Sequence, residues 1–471
     1  MKSRWVACLV LAALVLSTSP PAMAAEGDKI VRTKSATGLP VVTAACAILD
    51  CEVIGALDVL PGSTQPSSLF LVRGLLNNTV NFLLSLLGLA QIEDDLPVTV
   101  AEDGWGSDQQ TTAVLDQQTT AVLDRLWDRT PMQYYGSTAW RAYLRQPAAD
   151  IVRLRDAHCD LHATGGGVVA VIDTGVDLDH PTLKPFLVQG VDFTGGTGSG
   201  DEKNGVTQQT TAVLDGTTWV NGSTAAGLDQ QTTAVLDDPQ HAAFGHGTMV
   251  AGLVHLTAPT AKIMPVKAFK SDGTAYTSDI LRAIYYSVNK GAKVLNMSFS
   301  RPTPSLEMKI ALDYASLRGA VLVASAGNEG TSQLRYPAAY DNVIGVAATT
   351  NEDVRSSYSN YGSNLVTAAA PGDGVITTYP WGTFAATWGT SFSTPIVSGA
   401  AALLVGIQGN ASPAQVTAAV KKAKPLTSDL GAGRLQVYQT VAYGRSLWPW
   451  GAASAVPASC GAGDVDWTEA P

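Results

Sequence analysis

From about residue 138 onward the sequence alternates between two patterns, and that alternation constrains the fold more than any other feature. Short, near-continuous apolar runs are "GGVVAVIDTG", "KIMPVKAF", "AKVLNMSFS", "GAVLVASAG" and "NVIGVAAT". Between them lie "SDILRAIYYSVNKG" and "LEMKIALDYASLRG", with apolar residues at helical spacing and a glycine at the end. A strand that is apolar on both sides has no face to give to water. It belongs in a parallel sheet covered by helices on both faces. The expected class is therefore α/β, a three-layer αβα arrangement with a mainly parallel central sheet, over 138–445. Ahead of it, "CEVIGALDVL" and "AQIEDDLPVTVA" read as strands and "NNTVNFLLSLLG" as a helix, which predicts a small α/β unit within 25–105. Residues 106–137 read as a linker and 446–471, rich in Ala, Gly, Pro and Trp, as a tail.

Residues 1–24 contain Lys2 and Arg4, an apolar run from Trp5 to Leu16, and Ala22-Met23-Ala24, the parts of an export signal in their usual order. That run is short for a membrane span, and no later apolar run is expected to serve as one. The expected location is secreted or periplasmic. Loss of Lys2 and Arg4 takes the net charge from −10 to −12, which argues against nucleic acid as a partner. Of the five cysteines, Cys8 leaves with the leader. Cys46, Cys51, Cys159 and Cys460 remain as disulfide candidates, with three pairings open. Cys159 sits in "AHCDLH", whose spacing fits no standard zinc pattern.

In sheets of this kind reactive groups collect at the C-terminal ends of strands. "VVAVIDTGVD" puts Asp173 where a buried strand ends, so its carboxylate needs a partner. "FGHGTMVAGLV" puts His246 between glycines at the start of a helical run. "WGTSFSTPIVSGAAALLVGI" puts Ser391 at the start of a long apolar helix, near its positive end, with Pro395 close behind. Aspartate, histidine and serine are the parts of a nucleophilic triad: the histidine takes the serine proton and the aspartate supports the imidazole.

Four blocks, "VIDTGVDLDHP", "HGTMVAG", "ASAGNEG" and "GTSFSTPIVSGAAALL", resemble the signature blocks of the subtilisin-like serine proteases, in that family's Asp, His, Ser order. "LNMSFS", "SSYSNYG" and "AAAPGDGV" resemble its intervening strands and loops, so the likeness covers about 138–440. It implies an endopeptidase of protein or peptide substrates in which Asp173 orients His246, His246 is general base and then acid, and Ser391 forms the acyl-enzyme. Ser391, not Ser393, follows the family's Gly-Thr. It further implies an oxyanion hole from the Asn328 side chain and the Ser391 N–H. Substrate would pair with Ser298, Phe299 and Ser300 by strand addition. Ser325, Ala326 and Gly327 would form the other pocket wall. Phe299 and Ser300 depart from the family's smaller version, which would narrow the pocket. Arg335 falls at the expected pocket floor, where a cation would favour acidic or polar side chains unless it pairs with Glu329 or faces water.

The likeness also implies that 25–102 is a propeptide and hence a partner of the active site, as opposed to a permanent N-terminal domain; a monomer is expected. No cofactor is needed for this chemistry. A structural calcium is common in the family, but Thr182 stands where an acidic ligand is usual, and Asp201 and Glu202 in "GSGDEKNG" are the alternative oxygen donors. A non-catalytic binding protein on the same scaffold would be expected to lack a triad or oxyanion residue, and none is missing. An α/β-hydrolase needs a histidine after its serine, and none follows Ser391.

The octapeptide "QQTTAVLD" occurs at 109–116, 117–124, 208–215 and 230–237. Deleting each copy leaves plausible joins, so the copies read as insertions in surface loops, which tolerate added length at small entropic cost. A role beside the substrate cleft or in binding a partner is the alternative for the later pair.

Overall fold

The computed structural model describes residues 27–34, 38–49, 51–60, 63, 65–74, 89–100, 128–195, 198–204, 218–219 and 243–448. The leader, the expected helix at 77–88, all four octapeptides and Cys460 lie outside the described residues.

The N-terminal unit contains β1 (Lys29–Thr33), α1 (Leu39–Leu49), β2 (Glu52–Ala56), β3 (Leu69–Arg73) and β4 (Leu89–Asp94). The strands form an antiparallel sheet in the order β2-β3-β1-β4. Alternation along the strands serves two faces. Val31, Phe70 and Val72 pack with Val42 and Cys46 of α1. Ile30, Leu69 and Leu71 face the other way, into a core shared with the rest of the molecule. Cys46 and Cys51 form a disulfide that joins the end of α1 to β2. The next strand, β5 (Pro97–Val100), leaves this sheet altogether.

A hairpin follows, β6 (Pro131–Tyr134) and β7 (Ser137–Trp140). Tyr134 is buried and its hydroxyl donates to Leu256 O at 2.6 Å. The boundary expected at 138 therefore falls inside an element packed on the main core. Three short helices come next, α2 (Arg141–Leu144), α3 (Pro147–Ile151) and α4 (Leu154–Cys159). Then come β8 (Val168–Asp173), β9 (Val191–Asp192), β10 (Thr218–Trp219), α5 (His246–Thr257), β11 (Lys262–Lys267), β12 (Thr274–Tyr276) and α6 (Thr277–Asn289). They are followed by β13 (Val294–Met297), β14 (Phe299–Ser300), α7 (Leu306–Leu317), β15 (Val321–Ser325), β16 (Ile344–Thr349), β17 (Ala368–Pro371), β18 (Val375–Tyr379) and β19 (Thr383–Thr387). The last elements are α8 (Thr390–Ile407), α9 (Pro413–Val420) and α10 (Val437–Leu447).

Seven strands form a parallel sheet in the order β17-β16-β15-β13-β8-β11-β9. Each inner strand is apolar on both sides for a visible reason. Val169, Val171, Val294, Val321, Val323, Ile344 and Val346 face the core made with α5, α8, α9 and α10. Ala170, Ile172, Leu295, Leu322, Ala324 and Ala347 face the core made with α6 and α7. This is the expected αβα class, and all five apolar runs singled out in the sequence are strands of this sheet.

Helix α8 is, among the described residues, the one helix long and apolar enough by composition to cross a membrane, contrary to the expectation that no later run qualifies; 89% of it is buried inside the molecule. It packs tightly on α5 because Gly399 has no side chain: a Cβ there would lie 2.4 Å from Thr257 Cβ. That close approach brings the start of α8 beside the start of α5.

Candidate active site

Asp173 is the last residue of β8 and is fully buried. Its Oδ1 accepts from the Thr174 N–H at 2.8 Å and lies 2.7 Å from His246 Nδ1. A carboxylate can only accept, so Nδ1 carries the proton and Nε2 is the nitrogen able to receive one. His246 is the first residue of α5, after Gly245 at φ 93°. Its ring lies 5.4 Å, centroid to centroid, from Phe392, the neighbour of Ser391. Ser391 is the second residue of α8, and its Oγ donates to Ser298 O at 3.4 Å. Pro395 has an extra consequence here. It lacks the N–H that would meet Ser391 O one turn back, and Ser298 Oγ donates to that carbonyl instead, at 2.9 Å. The helix start is thus tied to the strand expected to hold substrate. Ser393 is spent elsewhere: its hydroxyl donates toward Ala370 O and Pro371 O, 2.9 and 3.1 Å away.

Asn328 follows β15. Its Oδ1 accepts from both Thr390 N and Thr390 Oγ1, at 2.9 and 2.8 Å, which fixes the plane of the amide beside Ser391. Gly327 is required between Ala326 and Asn328. It has φ 98°, and a Cβ would lie 2.6 Å from Asn360 Nδ2. Asn360 was not singled out in "SSYSNYG", yet it is buried, donates to Ala326 O at 3.0 Å and accepts from Thr331 N at 2.9 Å. It braces this wall. Ser325 Oγ donates to Phe299 O at 3.4 Å, joining the two pocket walls.

Arg335 sits next to Gly327 and forms an ion pair with Glu329, Nη2 to Oε1 at 2.9 Å. Its charge is met within the protein, as the second reading of the sequence allowed. Phe299 is fully buried, 5.1 Å from Phe269 in ring-centroid distance, within the apolar cluster that includes Val98 and Val100.

In the acidic loop, Glu202 is already engaged. Glu202 is buried, and both of its oxygens accept hydrogen bonds from Thr174, Gly245 and Thr248. Donor hydrogens converge on it, which does not fit a calcium ligand. Asp201 Oδ1 accepts from the Lys203 N–H at 3.0 Å, and the Lys203 ammonium lies 2.5 Å from Asp177. Thr182, where an acid was looked for, donates to Thr138 O at 2.9 Å. No group of three His, Cys, Asp or Glu placed to hold a metal occurs among the described residues. Cys159 is disulfide-bonded, to a partner outside the described residues.

Strand β5 lies in the same place as the expected substrate. It is the middle strand of the sheet β12-β5-β14, antiparallel to both neighbours. Thr99 is opposite Ser300 and Thr274, Val98 opposite Ala275 and Val100 opposite Phe299, while Val100 N donates to Gly273 O at 3.0 Å. Flanking residues anchor the N-terminal unit to two helix starts. Asp95 accepts from Ser278 N and Oγ at 2.8 and 2.6 Å. Glu93 accepts from Leu306 N and Glu307 N, and Arg32 pairs with Glu307 at 2.6 Å. Burial pushes the Asp95 carboxyl up to about 7.

A buried carboxylate at the C-terminal end of a parallel strand, and an imidazole and a serine at two adjacent helix starts, are the parts of a serine hydrolase. The model of the subtilase family matches residues 164–447. Thermitase of Thermoactinomyces vulgaris is 33% identical over 288 residues, 60% of this chain and 91% of that protein. Subtilisin BL of Lederbergia lenta is 36% identical over 251 residues, 51% of this chain and 77% of that protein. The chain belongs to the subtilase family and is a serine endopeptidase.

Proposed function

We propose that the chain is an exported, self-processing endopeptidase whose triad is Asp173, His246 and Ser391. The observation that carries this reading is the 2.7 Å contact of His246 Nδ1 with Asp173, on a helix held against the one that starts at Ser391. Ser391 Oγ attacks the substrate carbonyl carbon while His246 Nε2 takes its proton. The oxyanion is met by the Ser391 N–H and the Asn328 Nδ2. Collapse breaks the C–N bond, and the leaving amine takes the proton from His246. Water then repeats the sequence on the acyl-enzyme. Labelling with a fluorophosphonate serine probe tests the reading; an unlabelled mature protein would sink it. Asn328→Ala is expected to lower kcat by about 10²–10³ with little change in KM, a magnitude known for a subtilisin and carried over by family membership. Steady-state kinetics on a peptide substrate checks this.

Export is supported by the leader at 1–24. The propeptide role of the N-terminal unit is supported by β5, whose pairing with β12 and β14 is what strand addition by a substrate requires. Its register also names a bond. Val100 is opposite Phe299, so the next residue in sequence, Ala101, would meet Ser298 in a continued register, and Ser298 O is the acceptor of Ser391 Oγ. The bond cut in maturation is then Ala101–Glu102. Mass spectrometry of the mature protein is expected to find Glu102 at its N-terminus. A start inside the tandem octapeptides would overturn this register. Alanine also suits a pocket whose floor carries the Arg335–Glu329 pair.

A further inference from the structure

Four donors converge on one buried carboxylate that the chemistry above does not use. Glu202 Oε1 accepts from Thr174 Oγ1 at 2.5 Å and from Gly245 N at 2.8 Å. Its Oε2 accepts from Thr248 N at 2.9 Å and from Thr248 Oγ1. Each threonine hydroxyl is also an acceptor: Gly247 N donates to Thr174 Oγ1 at 2.9 Å, and Asp177 N to Thr248 Oγ1 at 2.8 Å. The Thr248 hydroxyl hydrogen is therefore left to Glu202, and that of Thr174 to Glu202 in preference to Asp173 Oδ1, 3.3 Å away. The carboxylate closes two bridges between the strand exit after Asp173 and the helix start that bears His246. It satisfies N–H groups on both sides of that histidine, which the helix itself leaves unpaired.

We propose that Glu202 is a positioning residue of the catalytic apparatus, holding Asp173 and His246 in register; this rests on the triad reading above. The groups that face it are few. Asp173, Thr174 and Asp177 come from the β8 exit, His246 and Thr248 from α5, Lys267 from β11 and Tyr379 from β18, with Asp201 and Lys203 alongside in its own loop. Burial pushes Glu202 up to about 7, against the pull of its two threonine hydrogen bonds, so gathering four donors on it carries a desolvation cost. Glu202 and Gly245 also bring together the two ends of the stretch that contains the later octapeptides. That explains why the stretch accepts extra length without displacing His246.

In Glu202→Gln the amide NH₂ must face two donors, whichever way it turns, so one bridge is lost along with the charge. The expected result is a fall in kcat per fluorophosphonate-titrated site of about 10- to 100-fold. KM should stay within about twofold, a split that a loss of folded protein alone would not produce. Glu202→Asp should return part of the lost kcat per site. If Glu202→Gln reduces only the titratable fraction, with kcat per site unmoved, the residue is merely structural and the proposal fails. Thr174→Val is the second variant should Glu202→Gln not fold. It removes the hydroxyl shared by Glu202, Gly247 and Asp173 and leaves the bonds of Glu202 to Gly245 and Thr248 in place, and an unchanged kcat per site would equally overturn the proposal. A Ser391→Ala control separates the two readings: activity surviving in that control defeats the triad, whatever Glu202 does.

Discussion

Ser391→Ala is expected to abolish peptide-bond hydrolysis, with a fall in kcat of about six orders of magnitude, the size known for a subtilisin and carried over by family membership. Three readouts should fail together. Casein hydrolysis should drop to background, fluorophosphonate labelling should vanish, and the chain should accumulate with residues 25–101 still attached. The companion is Ser393→Ala. Ser393 lies two residues away in the same helix, but its hydroxyl serves the carbonyls at the end of β17. Losing it leaves buried acceptors unpaired at about 1–3 kcal/mol, so stability should fall while labelling persists. Retained labelling in Ser391→Ala, or its loss only in Ser393→Ala, would reverse the assignment.

Two histidines outside the active site should withdraw stability from the folded protein as pH falls from about 6.5 toward 4. His158 and His255 are fully buried in a cluster with His180, Tyr134, Tyr135 and Phe186. His158 Nε2 donates to Thr257 O at 2.9 Å, and His255 Nε2 lies 3.4 Å from Ser137 Oγ. The Nδ1 of each is buried without a hydrogen-bond partner, so a second proton would find no acceptor there. Burial lowers His158 to about 4 and His255 to about 3, and the neighbouring histidines depress His255 further. Below 6.5 the unfolded chain binds these protons and the folded chain does not, so stability is full above that pH and is lost on the way down to the folded values. Each group withdraws up to about 1.4 kcal/mol per pH unit. Buried Asp95 and Glu202, held up to about 7, titrate in the opposite sense and offset the pair over the same range. Denaturant melts of the Ser391→Ala protein between pH 4 and 7, with and without His158→Leu and His255→Leu, isolate the share of the pair: the double variant should lose less stability, or gain more, on acidification. An identical pH dependence would rule out the pair.

The sheet was legible, and the proposed active-site residues could be singled out, because their signals are local. An apolar run ending in Asp-Thr-Gly, a histidine between glycines and a serine opening an apolar helix each announce themselves within ten residues. The pocket floor was half legible. Arg335 was placed, but whether Glu329 or a substrate would meet its charge depended on where two loops converge. The N-terminal unit was read from fragments. The strands at 52–56 and 89–100 were visible, whereas α1 and the departure of β5 to another sheet were not, since "LPVVTAACAIL" is β-branched enough to resemble strand. Tyr134, ahead of the expected boundary at 138, was not legible as a core residue because only the tertiary fold places it beneath α5.

By itself, the sequence determined the α/β class and the family blocks, and it singled out Asp173, His246, Ser391 and Asn328 as candidates, since each depends on short-range pattern. Only the tertiary structure decided what Glu202 meets. Its partners at 174, 245 and 248 are far from it in sequence, with two octapeptides between it and the last two. A surface acid and a buried one are the same letter, and only packing removes the water that distinguishes them. The same holds for β5. Its four residues could extend any sheet, and the edge they join is fixed by the helix starts that Glu93 and Asp95 cap on either side.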